Sequence, residues 1–460
     1  MEKNWIEEAA TFPVSIVQMV GKGEINNYAV DSRLVKKGCL FFALSGVRTD
    51  GHYFLHEVAR LGAKAAVVRK DYTGPDFGMV LWKVDSPLDT LQYLAKKKRE
   101  KIQGQVVGIT GSSGKTTTKD FLKKILEASF TVIGTEGNAN SQIGLPLFIL
   151  NTQSPHVFSP STVWVIEMGI STPGEMDKLV DIVQPDIALI TNVGCAHIGA
   201  FIQEGSLEKG IENLHREKGR ICAHPRTKRV VSKIEVKEKM YPSYSSLEWS
   251  SFSLEKEADF MLIPGYWIKN KEGESPRFDL LFTESSFLEN LLGAIAVCRV
   301  LGMSWEKIIL QLEKLEAPEL RFQKIMHNKI CFINDCYNAN PDSMRRAFQN
   351  IPSPQMGGKK IAVIGEMTDL GIFSDAYHRQ IAELEILDWD HVLLFGKKTK
   401  VMLEVYEKRK IPVELFTNLD LLKERMYEIA KQGDVVLIKG SKHNGLWYLL
   451  EDILSVSSVS

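Results

Sequence analysis

One stretch limits the possible folds more than any other. Val106-Val107-Gly108-Ile109-Thr110 reads as a strand, Gly111-Ser112-Ser113-Gly114-Lys115-Thr116 as a glycine-rich loop, and Thr117–Ala128 as the helix it opens. Glycines let backbone N–H groups turn inward around phosphate oxygens, and the helix N-terminus adds its dipole. Lys115 would reach the outer phosphates, and the Thr116 hydroxyl suits Mg²⁺. The strict phosphate-loop pattern wants glycine at 109, where Ile109 stands, with Gly108 one place early. Strand, glycines, Lys-Thr and helix still agree on a nucleotide phosphate as ligand.

The rest of the chain repeats this rhythm. At 460 residues it predicts about three domains, divided as 1–104, 105–320 and 321–460. In the first, Leu40–Ala43 and Ala65–Val68 read as strands, with a helix near Tyr53–Leu61. A second helix, Pro87–Lys101, carries the basic run Lys96-Lys97-Lys98-Arg99, expected to be a solvated helix end. In the second, strands at Val106–Thr110, Val163–Ile166 and Ile187–Thr191 alternate with helices, which argues for a parallel sheet covered by helices. The segment from Arg226 to Phe282 is irregular and reads as strands and hairpins at the sheet edge. Helices are predicted over Ser285–Leu301 and Trp305–Leu315. In the third, strands are predicted at Ile330–Asn334, Ile361–Ile364, Val392–Phe395, Val413–Phe416 and Val435–Ile438.

Composition excludes several classes. Lys+Arg and Asp+Glu are 57 each, so no net charge drives bulk nucleic-acid binding. No apolar run approaches the length of a membrane-spanning helix. The acidic N-terminus does not read as a signal peptide. The six cysteines are scattered without a CxxC pair, as expected of reduced, mostly buried thiols in a cytoplasmic protein.

Two further features sit at predicted strand ends, where ligands gather in parallel sheets. Val163-Trp164-Val165-Ile166 ends in Glu167, a hard oxygen ligand suited to Mg²⁺. Ile190-Thr191-Asn192-Val193-Gly194-Cys195-Ala196 ends in His197; a histidine in isolation is more often structural. Between them, Thr135–Pro146 is a loop rich in amide side chains.

Thr110-Gly111-Ser112-Ser113-Gly114-Lys115-Thr116-Thr117 resembles the phosphate loop of the Mur ligases, ATP-dependent amide-forming enzymes of peptidoglycan synthesis, and the resemblance extends over most of the chain. It implies an α/β fold of three domains: an N-terminal UDP-binding α/β domain, a central P-loop ATPase-like parallel sheet and a C-terminal Rossmann-like α/β domain. Glu167 matches the family's magnesium glutamate, and Asn192 to His197 its Asn-x-x-x-x-His segment, in which the histidine contacts a second Mg²⁺. The family carbamylates a downstream lysine with CO₂. Lys218, in Glu217-Lys218-Gly219-Arg220-Ile221, matches the local motif; Lys209 lies at the more usual distance from His197 and is the runner-up. Asn138 and Asn140 match the family's Gly-Asn-x-Asn segment.

Val30-Asp31-Ser32-Arg33 and Thr49-Asp50-Gly51-His52 resemble the UDP-sugar site. Asp335-Cys336-Tyr337-Asn338-Ala339-Asn340-Pro341, with Lys439-Gly440-Ser441, resembles the members that join D-alanyl-D-alanine to UDP-N-acetylmuramoyl-tripeptide. The resemblance therefore implies those two substrates with ATP and two Mg²⁺ ions. It places Tyr337, Asn338, Asn340, Lys439 and Ser441 at the peptide substrate, and Asn290, Arg321 and Asp335 at the nucleotide. A monomer is expected. Three family positions differ: His-Asn-x-x-Asn reads Ser286-Phe287-Leu288-Glu289-Asn290, Gly-Arg reads Leu320-Arg321, and a C-terminal Arg is Lys442. The alternatives are a related ligase adding another amino acid, or a homologue that binds nucleotide or precursor without turnover.

Overall fold

The computed structural model describes residues 25–457, apart from 47–48, 138, 195–197, 203–205, 264, 317–318, 356, 369 and 386–387. Three sheets form in chain order. The first holds β1 (Asn27–Ala29), β2 (Cys39–Phe42), β3 (Ala65–Arg69) and β4 (Val80–Val84), all parallel and in sequential order. Its strands are continuous apolar runs because helices cover them, as parallel sheets require.

The central sheet has nine strands: β5 (Gln105–Thr110), β6 (Thr131–Gly134), β7 (Thr162–Glu167), β8 (Ile187–Ile190), β9 (Arg229–Lys233), β10 (Glu248–Ser253), β11 (Phe260–Ile263), β12 (Trp267–Asn270) and β13 (Gly273–Glu274). Their order is 13-12-11-10-9-8-5-7-6. β5 lies between β7 and β8, with chain connections leaving to either side, and this reversal opens a crevice at the strands' carboxyl ends. The region read as edge hairpins differs in part. β9 and β10 extend the parallel sheet, with a helix at Ile234–Met240 between them; antiparallel hairpins begin only at β11. Alternation in that stretch is too weak to reveal a parallel crossover.

The third sheet holds β14 (Gln323–His327), β15 (Ile330–Asp335), β16 (Lys360–Gly365), β17 (His391–Phe395), β18 (Val413–Phe416) and β19 (Val435–Lys439), ordered 14-15-19-16-17-18. Only β14 is antiparallel to its neighbour. Among the described residues, no helix is long and apolar enough to cross a membrane.

The basic run is not a solvated helix end. Arg99 is 1% exposed. Its guanidinium donates to the carbonyls of Val183 (2.6 Å), Gln184 (2.7 Å) and Ile102 (3.3 Å), and pairs with Asp186 at 3.2 Å. Lys98 donates to the carbonyls of Leu150 and Thr152, and Lys96 pairs with Asp181 at 2.6 Å. The helix Pro87–Glu100 thus clamps the first sheet to the central one. Nearby, the Asn151 amide takes the place of a neighbouring strand at the sheet edge, accepting from Tyr28 N–H and donating to Tyr28 C=O. Arg99→Ala would leave the carbonyls of Val183, Gln184 and Ile102 without their buried donor and Asp186 with Arg226 as its remaining cation, at 3.3 Å. It is expected to cost about 3 kcal/mol, read as a lower urea midpoint. Lys97→Ala, removing a half-exposed pair with Glu100, should change it by less than about 1 kcal/mol. Equal effects of the two would contradict the clamp.

Candidate active site

The phosphate loop closes β5 and starts the helix Lys115–Leu126. Gly114 has φ of +81°, and a Cβ there would sit 2.1 Å from Asn290 Oδ1, so only glycine fits. The segment after β8 braces the loop. Asn192 Oδ1 accepts from Ser113 N–H at 3.0 Å, and its amide donates to the Ser113 carbonyl and hydroxyl. Thr191 Oγ1 donates to Ser113 C=O at 2.7 Å, and Ser112 Oγ exchanges hydrogen bonds with Gly194. The sequence reading gives Thr191 no role and Asn192 only the first place of the Asn-x-x-x-x-His segment; the signal for their bracing role is a hydroxyl and an amide directly after an apolar strand.

Glu167 ends β7 opposite Ile109 of β5. It is 3% exposed; Asn140 donates to its Oε1 at 2.8 Å, while Oε2 is buried with no hydrogen-bond partner among the described residues. A buried carboxylate oxygen left this way beside a phosphate loop fits a cation as its partner. Lys115 donates to Gly111 C=O at 2.8 Å, and desolvation lowers its pKa against the opposing pull of Glu167.

Lys218 lies at the end of the helix Leu207–Gly219 and is 1% exposed. Its Nζ donates to the same Gly111 carbonyl at 3.2 Å. Burial first, and then the Lys115 charge, hold its pKa well below the ordinary lysine value. Lys209 is exposed near the start of that helix, its backbone N–H capped by Ser206. His197 and Asn138 lie outside the described residues.

One cleft gathers most of the remaining candidates. Its central wall is Ser112 to Thr117 with Asn140, Glu167 and Asn290; its facing wall includes Arg321, Asp335, Tyr337, Asn338, Asn340, Lys439 and Ser441. The facing residues follow from the third sheet, because β15 and β19 end side by side with Asp335 in register with Lys439. Lys439, 1% exposed, pairs with Asp335 Oδ2 at 3.1 Å and donates to Asn338 C=O. Arg321 stacks on Tyr337, its guanidinium carbon 3.8 Å from the ring centroid. Asn340 and Ser441 also shape backbone: each side chain sits in a reciprocal cap with Ser343 and Asn444 respectively. The differing positions Ser286, Phe287 and Lys442 line the cleft as well, as do Thr368, within the family-like segment Ile364–Gly371, and Arg346 and Asn350, which sequence reading missed. Ion pairs join the two walls: Glu289 to Arg346 at 3.6 Å and Glu284 to Lys324 at 2.6 Å. Thr110 and Gly111 lie behind the loop, not in the cleft lining.

The N-terminal candidates sit apart, at the carboxyl edge of the first sheet. Asp31 pairs with Arg33 at 2.5 Å, and Ser32 is buried between them. Asp50 accepts from His52 N–H and Nδ1 and from Ser45, while His52 Nε2 accepts from Arg69 N–H. A Cβ on Gly51 would come 2.8 Å from Leu44 N. Thr49 is exposed beside them.

Residues 24–98 match the Mur ligase family, catalytic domain; 109–298 the Mur ligase middle domain; and 320–442 the Mur ligase, glutamate ligase domain. The chain is 30% identical over 443 residues to the UDP-N-acetylmuramoyl-tripeptide–D-alanyl-D-alanine ligase of Bacillus subtilis, covering 94% of this chain and 93% of that protein. It is 28% identical to the Treponema pallidum ligase of the same name, covering 92% of each. Its fold is similar to crystal structures of MurF from Acinetobacter baumannii (TM-score 0.82, 28% identity, 98% of each chain). MurF from Thermotoga maritima in complex with ADP also matches (TM-score 0.77, 28% identity, 93% of this chain and 96% of that one). With a phosphate loop, a strand-end glutamate and a facing third sheet all in place, the chain belongs to the Mur ligase family.

Proposed function

We infer that the chain joins D-alanyl-D-alanine to UDP-N-acetylmuramoyl-tripeptide at the expense of ATP, through an acyl phosphate. The observation that carries this reading is the two-walled cleft: phosphate chemistry on the central sheet, and amide, hydroxyl and cationic groups on the third sheet within reach of it. The tripeptide carboxylate oxygen attacks the γ-phosphorus; the bond to the β-phosphate oxygen breaks and ADP leaves. The dipeptide amine then attacks the acyl carbon, the carbon–oxygen bond to phosphate breaks, and the amine loses its proton. A carboxylate oxygen is a poor leaving group, and phosphorylation makes it a good one.

The residues divide this work. Ser112 to Thr117 cradle the phosphates, and Lys115 offsets charge developing on the transferring phosphoryl group. Asn290, Arg321 and Asp335 hold the nucleotide; Asn138, Asn140, Tyr337, Asn338, Asn340, Lys439 and Ser441 hold the peptide ends. Asp31 to Arg33 and Thr49 to His52 hold the UDP-sugar. Thr116 and Glu167 would hold one Mg²⁺, and His197 with a carbamylated Lys218 a second; bound there, the ions supply charge neutralisation of the phosphates. Lys218 suits carbamate formation because its amine, buried beside Lys115, favours the neutral form that adds to CO₂. The domain divisions that fit this reading are 1–104, 105–320 and 321–460, with a monomer in the cytoplasm. Buried free thiols at Cys39, Cys222, Cys298 and Cys336 suit a reducing compartment.

The test is phosphate release from ATP with UDP-tripeptide present. It is expected to require D-alanyl-D-alanine and to give amide in equal amount. Release driven by a single amino acid instead, or independent of any amine, would overturn the assignment.

A further inference from the structure

We propose that His378 is a positioning residue that holds the Met367–Thr368 backbone against the cleft and so sets the seat of the incoming amine. The proposal rests on the assignment of D-alanyl-D-alanine as that amine. His378 lies on the helix Ser374–Ala382 and is completely buried. Its Nε2 accepts from Met367 N–H at 3.0 Å, and its Nδ1 lies 2.7 Å from Ser374 C=O. A carbonyl only accepts, so Nδ1 carries the proton and Nε2 is the free acceptor. Burial lowers the imidazole pKa, in keeping with this neutral tautomer; Glu366, Asp375 and Lys398 are the charged groups around it.

The amide that His378 holds begins a loop with two points of contact. Thr368 lines the cleft on the third-sheet side. Leu370 is 1% exposed, and the Leu370–Gly371 backbone lies against the central domain: a Cβ on Gly199 would come 3.1 Å from Gly371 N and from the Leu370 carbonyl. Gly199 follows His197 by two residues. One imidazole acceptor therefore holds the Met367 amide next to Thr368 in the cleft, and Leu370 and Gly371, close by in sequence, rest on the opposite wall. The phosphate loop, on the far wall, has its own braces in Thr191 and Asn192. Because those braces lie in the central domain and do not pass through His378, disturbing His378 is expected to act first on the third-domain side of the cleft, where Thr368 lies.

Two variants separate positioning from packing. Asn places a polar atom near Nδ1 and removes the Nε2 acceptor, whereas Gln reaches the Nε2 position. His378→Asn is expected to raise KM for D-alanyl-D-alanine about tenfold and lower kcat, as loss of one buried hydrogen bond would, with KM for ATP little changed. His378→Gln should recover most of that loss. Amide hydrogen exchange, which needs no substrate, should be faster over 366–371 in the Asn variant and near wild type in the Gln variant. Unchanged exchange in His378→Asn, equal impairment of both variants, or an equal rise in KM for ATP would each overturn the proposal. Absence of D-alanyl-D-alanine-dependent turnover in the wild type would instead overturn the substrate assignment, leaving the exchange comparison to decide the loop's anchoring.

Discussion

Lys115→Ala is expected to lower turnover by about 10³-fold while leaving the fold intact. The Lys115 ammonium is half-buried at the start of the helix Lys115–Leu126, with Glu167 and Arg321 as its charged surroundings. Removing it leaves the transferring phosphoryl group without its fixed cation in a site that excludes much of the water, where such a charge acts most strongly. No packing defect of comparable size follows, because the side chain's hydrogen bond runs to a loop carbonyl, Gly111, which Lys218 also reaches. Steady-state phosphate release, alongside circular dichroism of the purified variant, separates the two effects. Near-wild-type turnover would remove the phosphate loop from the mechanism.

Lys218→Ala is expected to be nearly inactive and partly rescued by acetate, whereas Lys209→Ala should retain most activity. A protonated lysine repels Mg²⁺; the carbamate reverses that sign and brings two oxygens. The positions differ in environment: Lys218 is sealed against Gly111 next to Lys115, and Lys209 faces solvent. The wild type should also lose activity in CO₂-depleted buffer and regain it with bicarbonate. Rescue confined to Lys209→Ala, or an active Lys218→Ala, would show that Lys218 does not carry the carbamate.

The parts of this molecule that local pattern encodes are those read from sequence. An apolar strand, glycines and Lys-Thr determine the phosphate loop within a dozen residues. Glu167 is legible because it closes an apolar run, and parallel strands present their carboxyl ends to a ligand; Asp335 is legible only through the family resemblance. Arg99 is the opposite case. Its neighbours in sequence are lysines, which describe a wet surface, while the carbonyls that bury it lie about 85 residues away. The crossover between β9 and β10 was likewise hidden, since parallel pairing is non-local and the intervening helix is short and polar. Lys218 and Lys209 split the sequence cues, local motif for one and spacing for the other; burial separates them. His378 gives no signal at all until its ring meets the Met367 amide.

Leu320 takes left-handed backbone without being glycine. Where the family resemblance calls for glycine, Leu320 has φ of +57°, and Phe322 has φ of +51°. Each left-handed non-glycine residue costs roughly 1–2 kcal/mol, so the surroundings must enforce the shape. They do so from one side only: Leu320 N–H donates to Gln323 Oε1, Leu320 C=O accepts from Tyr337 N–H, and Phe322 N–H donates to Asp335. All three partners belong to the third sheet or the turn after it. Arg321 is therefore held in the frame of the C-terminal lobe while it lines the cleft opposite the phosphate loop. With Arg99 and Asn151 tying the first two lobes together, any relative movement of the third would carry Arg321 with it.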